Sequence, residues 1–318
     1  MSSVKKLQIS LVIPMKNESD SLAQLIESIE AQTFQPAEIV LVDGGSTDNT
    51  IKIAERFGAE NSKIKLIKAE EASPGKGRNI GIEAALGDWI ALTDAGIKLE
   101  KDWLENLVKA AENSPEADLI YGNFSPVTGS LFEKCAAISY VPALRQNSIR
   151  GKSVASMLLK KRVWEKVGGF PDLRAAEDLM FMETAESAGF KSVFAPNANV
   201  FWQLRPNLAS TFQKFTLYSK HNVWAGRAWD WHYGVAKQYL LVLPFVVLAI
   251  FHSLFWLLGV LAWLAARAAK RILLHRFEFG FNALFNPLIF GGVALLVLTI
   301  DAATFIGWAQ AIFKKVKT

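Results

Sequence analysis

The chain has 318 residues, 51% of them hydrophobic, and a mean hydropathy of +0.20, which is high for a purely soluble domain. Its net charge of +5 is unevenly spread: 12 Lys/Arg and 3 Asp/Glu lie from Val200 onward, leaving a net −4 on the first 199 residues. A nucleic-acid binder carries its positive charge on the folded domain, so this layout argues against one. Here the basic residues flank apolar stretches, which suits anionic lipid head groups.

A single cysteine, Cys135, excludes an intrachain disulfide and a Cys-rich zinc site. It fits a reducing environment and so a domain facing the cytoplasm. Met1 to Lys6 is short and polar and does not read as a signal peptide.

In chain order, Leu7 to Pro14 is a β-branched apolar run that predicts a buried strand. Ser19 to Gln32 places Leu22, Leu25, Ile26 and Ile29 at helical spacing. Glu38 to Val42 predicts a second strand, Thr47 to Phe57 a helix, and Lys63 to Lys68 a third strand. Lys76 to Leu86 predicts a helix and Asp88 to Leu92 a fourth strand, with a basic loop, Pro74 to Gly77, before Arg78.

Alternating strands and helices with short loops predict an α/β fold, a parallel sheet covered on both faces. Ligands in such sheets bind beyond the carboxyl ends of the strands. Asn17, Asp43 and Asp94 each fall at such an end, a site hypothesis from spacing alone.

Further on, Asp102 to Glu112 predicts a helix and Asp118 to Asn123 a strand. Phe124 to Arg162 gives little pattern; Arg145, Arg150 and Lys152 there suit either an anionic acceptor or a solvated loop. Pro171 to Gly189 leads into a helix bearing Glu177 and Asp178, Ser192 to Trp202 reads as a strand, and Leu208 to Trp231 as an aromatic-rich helix.

Tyr239 to Ala266 and Asn286 to Phe313 then each exceed the roughly 20 apolar residues that cross a bilayer. Trp224, Trp229 and Trp231 precede the first, and Lys314, Lys315 and Lys317 follow the second, as interfaces favour. Two very apolar core helices are the alternative, although their length is hard to bury in so small a protein. A simple hairpin would put Arg267, Lys270, Arg271 and Arg276 opposite the N-terminal domain, against the positive-inside tendency, so the chain is expected to be multi-pass, or one segment to be re-entrant or to lie in the interface instead. Asp301, inside the second stretch, should face protein or water. The domain plan is thus an α/β domain over 1–205, an interfacial helical region over 206–238 and membrane-embedded helices over 239–318.

An ordered set of motifs resembles one known family. Ile13-Pro14-Met15-Lys16-Asn17-Glu18 and Val42-Asp43-Gly44-Gly45-Ser46-Thr47-Asp48 look like the opening of family 2 glycosyltransferases with the GT-A fold. Gly77-Arg78-Asn79-Ile80-Gly81, Leu92-Thr93-Asp94-Ala95-Gly96, Gly168-Gly169-Phe170 and Glu177-Asp178 follow in the family's order. The resemblance covers about the first 205 residues and implies a nucleotide-diphosphate sugar as donor, more readily UDP-linked than GDP-linked.

The resemblance implies donor-binding roles for Pro14, Asn17, Glu18, Asp43, Lys76, Arg78, Asp94 and Arg205. The Asp43 carboxylate can accept a hydrogen bond from a uracil N–H, or simply cap its own turn. Arg78 can neutralise diphosphate or pair with Asp43. Asp94 falls where the family carries Asp-x-Asp, which holds Mg²⁺ or Mn²⁺ against the diphosphate. Here the motif reads Asp94-Ala95-Gly96, so its last carboxylate is missing and phosphate and water must complete the metal shell.

Asp178 is the implied catalytic base and Glu177 its neighbour, tuning it or orienting the acceptor. A pair of acids at a helix N-terminus is the plainer use. The Gln-x-x-Arg-Trp motif of processive members is absent around Trp202-Gln203-Leu204-Arg205, which favours single-sugar addition, with Trp202 stacking on a sugar of the acceptor. Membrane segments beside the cleft point to a lipid-linked glycan acceptor. A processive synthase of the same fold and a non-catalytic binding scaffold are the alternatives. A dehydrogenase is excluded, because Pro14-Met15-Lys16-Asn17 cannot replace a Gly-x-Gly-x-x-Gly turn.

Overall fold

The computed structural model describes residues 7–144 and 149–313. Arg145, Lys314, Lys315, Lys317 and the Met1–Lys6 leader, all singled out above, lie outside the described residues. By internal contacts the chain divides into two compact units, Met1–Ser125 with Ser148–Gln203, and Pro126–Asn147 with Leu204–Thr318.

The first unit opens with β1 (Ile9–Met15), α1 (Leu22–Glu30), β2 (Glu38–Asp43), α2 (Thr50–Glu60), β3 (Ile64–Lys68), α3 (Pro74–Ala84) and β4 (Trp89–Leu92). β3, β2, β1 and β4 are parallel neighbours in that order, as the alternating pattern predicts. Ile9, Leu11, Val12 and Ile13 on β1 and Val40, Leu41 and Val42 on β2 are all buried, because a parallel sheet is covered on both faces.

The second half of the sheet departs from the all-parallel expectation. β5 (Ile97–Leu99), α4 (Trp103–Asn113) and β6 (Leu119–Pro126) come next. After α5 (Leu131–Tyr140), which packs in the second unit, the chain forms β7 (Met157–Lys160), α6 (Lys161–Val167), α7 (Glu177–Ser187) and β8 (Ser192–Trp202). The full order is β3-β2-β1-β4-β7-β6-β8-β5, with β7 antiparallel to β4 and β6, and β5 antiparallel to β8. β5, α5, β7 and α6 were not legible in the sequence. β5 and β7 have only three and four residues, too few to show a period.

The second unit holds α5, α8 (Leu208–Trp224), α9 (Ala228–Phe251), α10 (Leu257–Leu274), α11 (Arg276–Phe279) and α12 (Pro287–Phe313). Two expectations are corrected. The helix expected over 208–231 is broken at Gly226, which turns with φ +74°. The apolar stretch 239–266 is not one helix either: α9 stops at Phe251 and α10 begins at Leu257.

α9 and α12 are each long and apolar enough to cross a membrane, and α9 is much the more exposed. Asp301 on α12 is buried and paired bidentately with Arg267 of α10, and the Tyr239 hydroxyl donates to it at 3.1 Å. The charge thus faces protein, as its position demanded.

Candidate active site

The carboxyl ends of β1, β2 and β4 carry the first three site residues. Asn17 follows β1 in a left-handed conformation, φ 55°. Its side-chain oxygen accepts the Thr47 N–H at 2.8 Å and its own N–H reaches the Ser46 hydroxyl at 2.8 Å. Asn17 therefore ties the β1 loop to the β2 loop. Glu18 continues that tie through its N–H to Thr50 Oγ1 at 2.7 Å, and its carboxylate accepts from the Ser21 hydroxyl at 2.6 Å. Asp48 completes the brace: the Thr50 hydroxyl bond above all, with the Thr50 and Ser19 backbone N–H groups, holds its carboxyl down at about 2.

Asp43 ends β2 opposite Met15 and is 1% exposed. One carboxylate oxygen accepts the N–H groups of Gly45 and Ser46 at 3.0 Å, and the other the Ser46 hydroxyl. The turn-capping use is thus observed directly. A carboxylate offers about four acceptor positions, and the turn takes three of them. Asp43 and Arg78 are not paired: Arg78 is held by two other acids.

Arg78 projects from α3, and the segment before it is not a loop. Pro74 occupies the first helical position, Ser73 caps it by accepting the Lys76 N–H at 3.2 Å, and Lys76 is exposed on that first turn. This is the arrangement that Pro and Ser favour at a helix start. Pro14 packs beneath, its Cβ 3.1 Å from where a Gly77 Cβ would lie.

The Arg78 guanidinium donates to Glu177 Oε1 at 2.8 Å and to Asp94 Oδ1 at 2.7 Å, and lies over the Phe170 ring. Burial alone would lower the Arg78 pKa, but Asp94, Glu177 and Asp178 together hold it well above the ordinary value. Burial pushes the Glu177 carboxyl up; Arg78 pulls against this and the neighbouring Asp178 adds to it. Asp94 keeps 44% of its side chain exposed, while Arg78 and Glu177 keep 4% and 7%. Of the two acids that pair with Arg78, Asp94 is the one that presents its carboxylate outward.

Two positioning features escaped the sequence reading. Asn79 donates to the Phe170 carbonyl at 2.8 Å and accepts from the Phe170 N–H and the Trp164 indole, fixing α3 to the Gly168–Phe170 turn. Ala176, just before Glu177, adopts φ 71°, a conformation that costs a non-glycine residue about 1–2 kcal/mol. Asn79 was visible inside the Gly77–Gly81 motif; the strain at Ala176 leaves no sequence signal.

Glu177 and Asp178 open α7, where the macrodipole favours acids. Asp178 is half-buried and one of its oxygens accepts the Leu179 N–H. Trp202 ends β8 in register with Ile97, three residues past Asp94, and its ring meets Phe124 edge-on at 6.3 Å. Arg205 is an exposed residue of the second unit.

Of the basic residues once open to an acceptor, Arg150 is buried with its guanidinium on the Phe124 carbonyl, and Lys152 pairs with Glu186. Among the described residues no three His, Cys, Asp or Glu form a metal cage. A cation at this site would depend on Asp94 with ligands from phosphate and water. That fits a hard divalent ion, which keeps several such ligands.

The sequence profile described as glycosyl transferase family 2 matches residues 10–159, which carry Asn17, Asp43, Arg78 and Asp94. An uncharacterized glycosyltransferase of Haemophilus influenzae is 30% identical over 203 residues, covering 61% of this chain and 78% of that relative. The chain belongs to glycosyl transferase family 2. Other curated glycosyltransferases, among them AglE of Haloferax volcanii, are spanned over 17% to 64% of their own length.

The fold of this family 2 chain is GT-A, the mixed sheet described above. The mannosyltransferase PcManGT of Pyrobaculum calidifontis, solved with GDP-Man and Mn²⁺, superposes with a TM-score of 0.59 at 18% identity, covering 95% of this chain and 88% of that one. TarS of S. aureus (residues 1–349, with UDP) superposes at 0.51 and 15% identity, covering 98% and 93%. At such identities the likeness establishes fold alone.

Proposed function

We propose that this chain transfers one sugar from a nucleotide-diphosphate donor, a UDP-sugar, to an acceptor hydroxyl with inversion. The observation that carries the reading is the joining of Asp94, Arg78 and Glu177 beside Asp178, at the carboxyl ends of the parallel strands. Solved proteins of the same fold carry GDP-Man or UDP, which supports a nucleotide-linked donor.

Asp178 accepts the acceptor's hydroxyl proton as that oxygen attacks the anomeric carbon. The sugar–phosphate bond breaks with its electrons leaving on the nucleoside diphosphate. Glu177, clamped by Arg78, fixes where α7 begins and so where Asp178 points. Exposed Lys76, on the first turn of α3, supplies positive charge for the diphosphate. Asp43, through its one remaining acceptor position, takes the uracil N–H, and Trp202 offers a ring face to the acceptor.

A divalent ion, Mn²⁺ or Mg²⁺, held by Asp94 and the donor's own oxygens would neutralise charge on the leaving group. The exposed helices of the second unit hold the enzyme at a bilayer, with the catalytic domain on the cytoplasmic side and a lipid-linked glycan as acceptor.

Calorimetric titration with UDP and with GDP, each with and without Mn²⁺, tests the donor. UDP binding strengthened by Mn²⁺ is the expected result. Preference for GDP would move the donor class, and binding of neither by folded protein would overturn the transferase reading.

A further inference from the structure

We propose that α9 and α10 form a re-entrant hairpin that dips into one leaflet of an anionic bilayer and returns, while α12, seated along one face on α5 and α8, crosses nothing. The proposal rests on the bilayer reading above and specifies how that bilayer is met.

No Asp, Glu, Lys or Arg occurs between Lys237 and Arg267. The apolar end of α9, Leu240–Phe251, is about 18 Å long at 1.5 Å per residue, and the apolar start of α10, Leu257–Ala266, about 15 Å. Each matches about half of a ~30 Å hydrocarbon core, one leaflet. Leu240, Ile250, Phe251, Leu254, Phe255 and Leu261 are each 61–83% exposed, so nothing among the described residues covers this surface.

The tip is built to leave water. The N–H groups of His252 and Ser253 both bond the Leu248 carbonyl, the Phe255 N–H bonds Ser253 Oγ, and the Trp256 N–H bonds the Ser253 carbonyl. A turn in hydrocarbon must satisfy its donors internally in this way. The two arms close tightly, since a Cβ on Gly259 would fall 2.2 Å from the Phe245 ring.

Where the arms emerge, the surface changes character. Trp229 and Tyr233 stack on each other, both exposed, one to two turns before Lys237 on α9. Lys270, Arg271 and Arg276 are exposed at the far end of α10 and beyond it. Aromatic rings and cations are what an anionic interface receives. A hairpin that returns puts Lys237 and these cations on the same face, which removes the conflict with the positive-inside tendency.

α12 behaves differently. Cys135 of α5 meets it at Ile289 and Gly292, and Thr216 and Ser219 of α8 meet it at Thr304 and Gly307. These contacts span about 27 Å of its length. Were α12 to cross a bilayer, α5 with Glu133 and Lys134, and α8 with Lys214 and Lys220, would have to enter the hydrocarbon beside it. Four charges there are far costlier than a folded interior.

The test uses the full-length chain and preformed vesicles of phosphatidylcholine with or without 30% phosphatidylglycerol. Flotation with the anionic vesicles is expected, and Lys270→Ala and Arg276→Ala each lower it about fivefold. Absence of flotation would overturn the bilayer reading itself. In a Cys135→Ala background, Lys237→Cys and Arg276→Cys should react with an impermeant maleimide added outside. Ser253→Cys should react neither with that reagent nor with the same reagent trapped inside. Labelling of Ser253→Cys from the lumen, with flotation intact, would show that α9 crosses and would overturn the hairpin alone; labelling from outside would show that the tip never inserts. The three labelled sites are exposed, and Cys135→Ala alone, floated beside them, controls for loss of its buried contact with α12.

Discussion

Arg78 and Glu177 are 99 residues apart in sequence and meet at 2.8 Å with both side chains buried. A buried guanidinium is tolerated only where acids satisfy it, and the second acid here is Asp94, the one that faces outward. One cation thus fixes the start of α7 and the end of β4 together.

Removing that cation leaves a buried carboxylate without its partner. Arg78→Met is expected to cost about 3–5 kcal/mol of stability in a denaturant titration. Arg78→Met combined with Glu177→Leu should recover most of it, because the unpaired charge is then gone. A double variant no more stable than the single one would show that the cost comes from losing Arg78 itself and not from the unpaired Glu177 carboxylate.

Asp178→Asn removes the proposed base while keeping the side chain's size. Turnover is expected to fall by about 10²- to 10⁴-fold, with donor affinity in calorimetry unchanged. Full turnover in this variant would assign the base elsewhere.

Asp94→Asn retains an oxygen for Arg78 but lowers the charge available to a cation. The Mn²⁺-dependent part of UDP binding should disappear, and metal-free binding should persist at its wild-type level. Equal losses with and without Mn²⁺ would instead mark Asp94 as a structural partner of Arg78.

Asp48 carries the pH signature of the β1–β2 brace. Its carboxyl is held at about 2, below the ordinary 3.8, so the stability it contributes is complete above pH 4 and is lost as pH falls toward 2. The gap in melting temperature between the wild type and Asp48→Asn should narrow across that window. A gap independent of pH would mean that the Thr50 and Ser19 bonds survive protonation.

The parallel half of the sheet and the strand-end positions of Asn17, Asp43 and Asp94 were legible in the sequence, because apolar runs and helical spacing are local patterns. So were the acids opening α7, which a local helix start exposes. The sequence could not decide which acid would take Arg78: Asp43 and Asp94 flank it in the motif order, and only the packing of α3 over β1 and β2 and against α7 selected Asp94 and Glu177. The same holds for the apolar C-terminal region. Hydropathy marked two long stretches, but it is blind to neighbours. The seating of α12 on α5 and α8 was decided by tertiary contacts, whose partners lie up to 154 residues away.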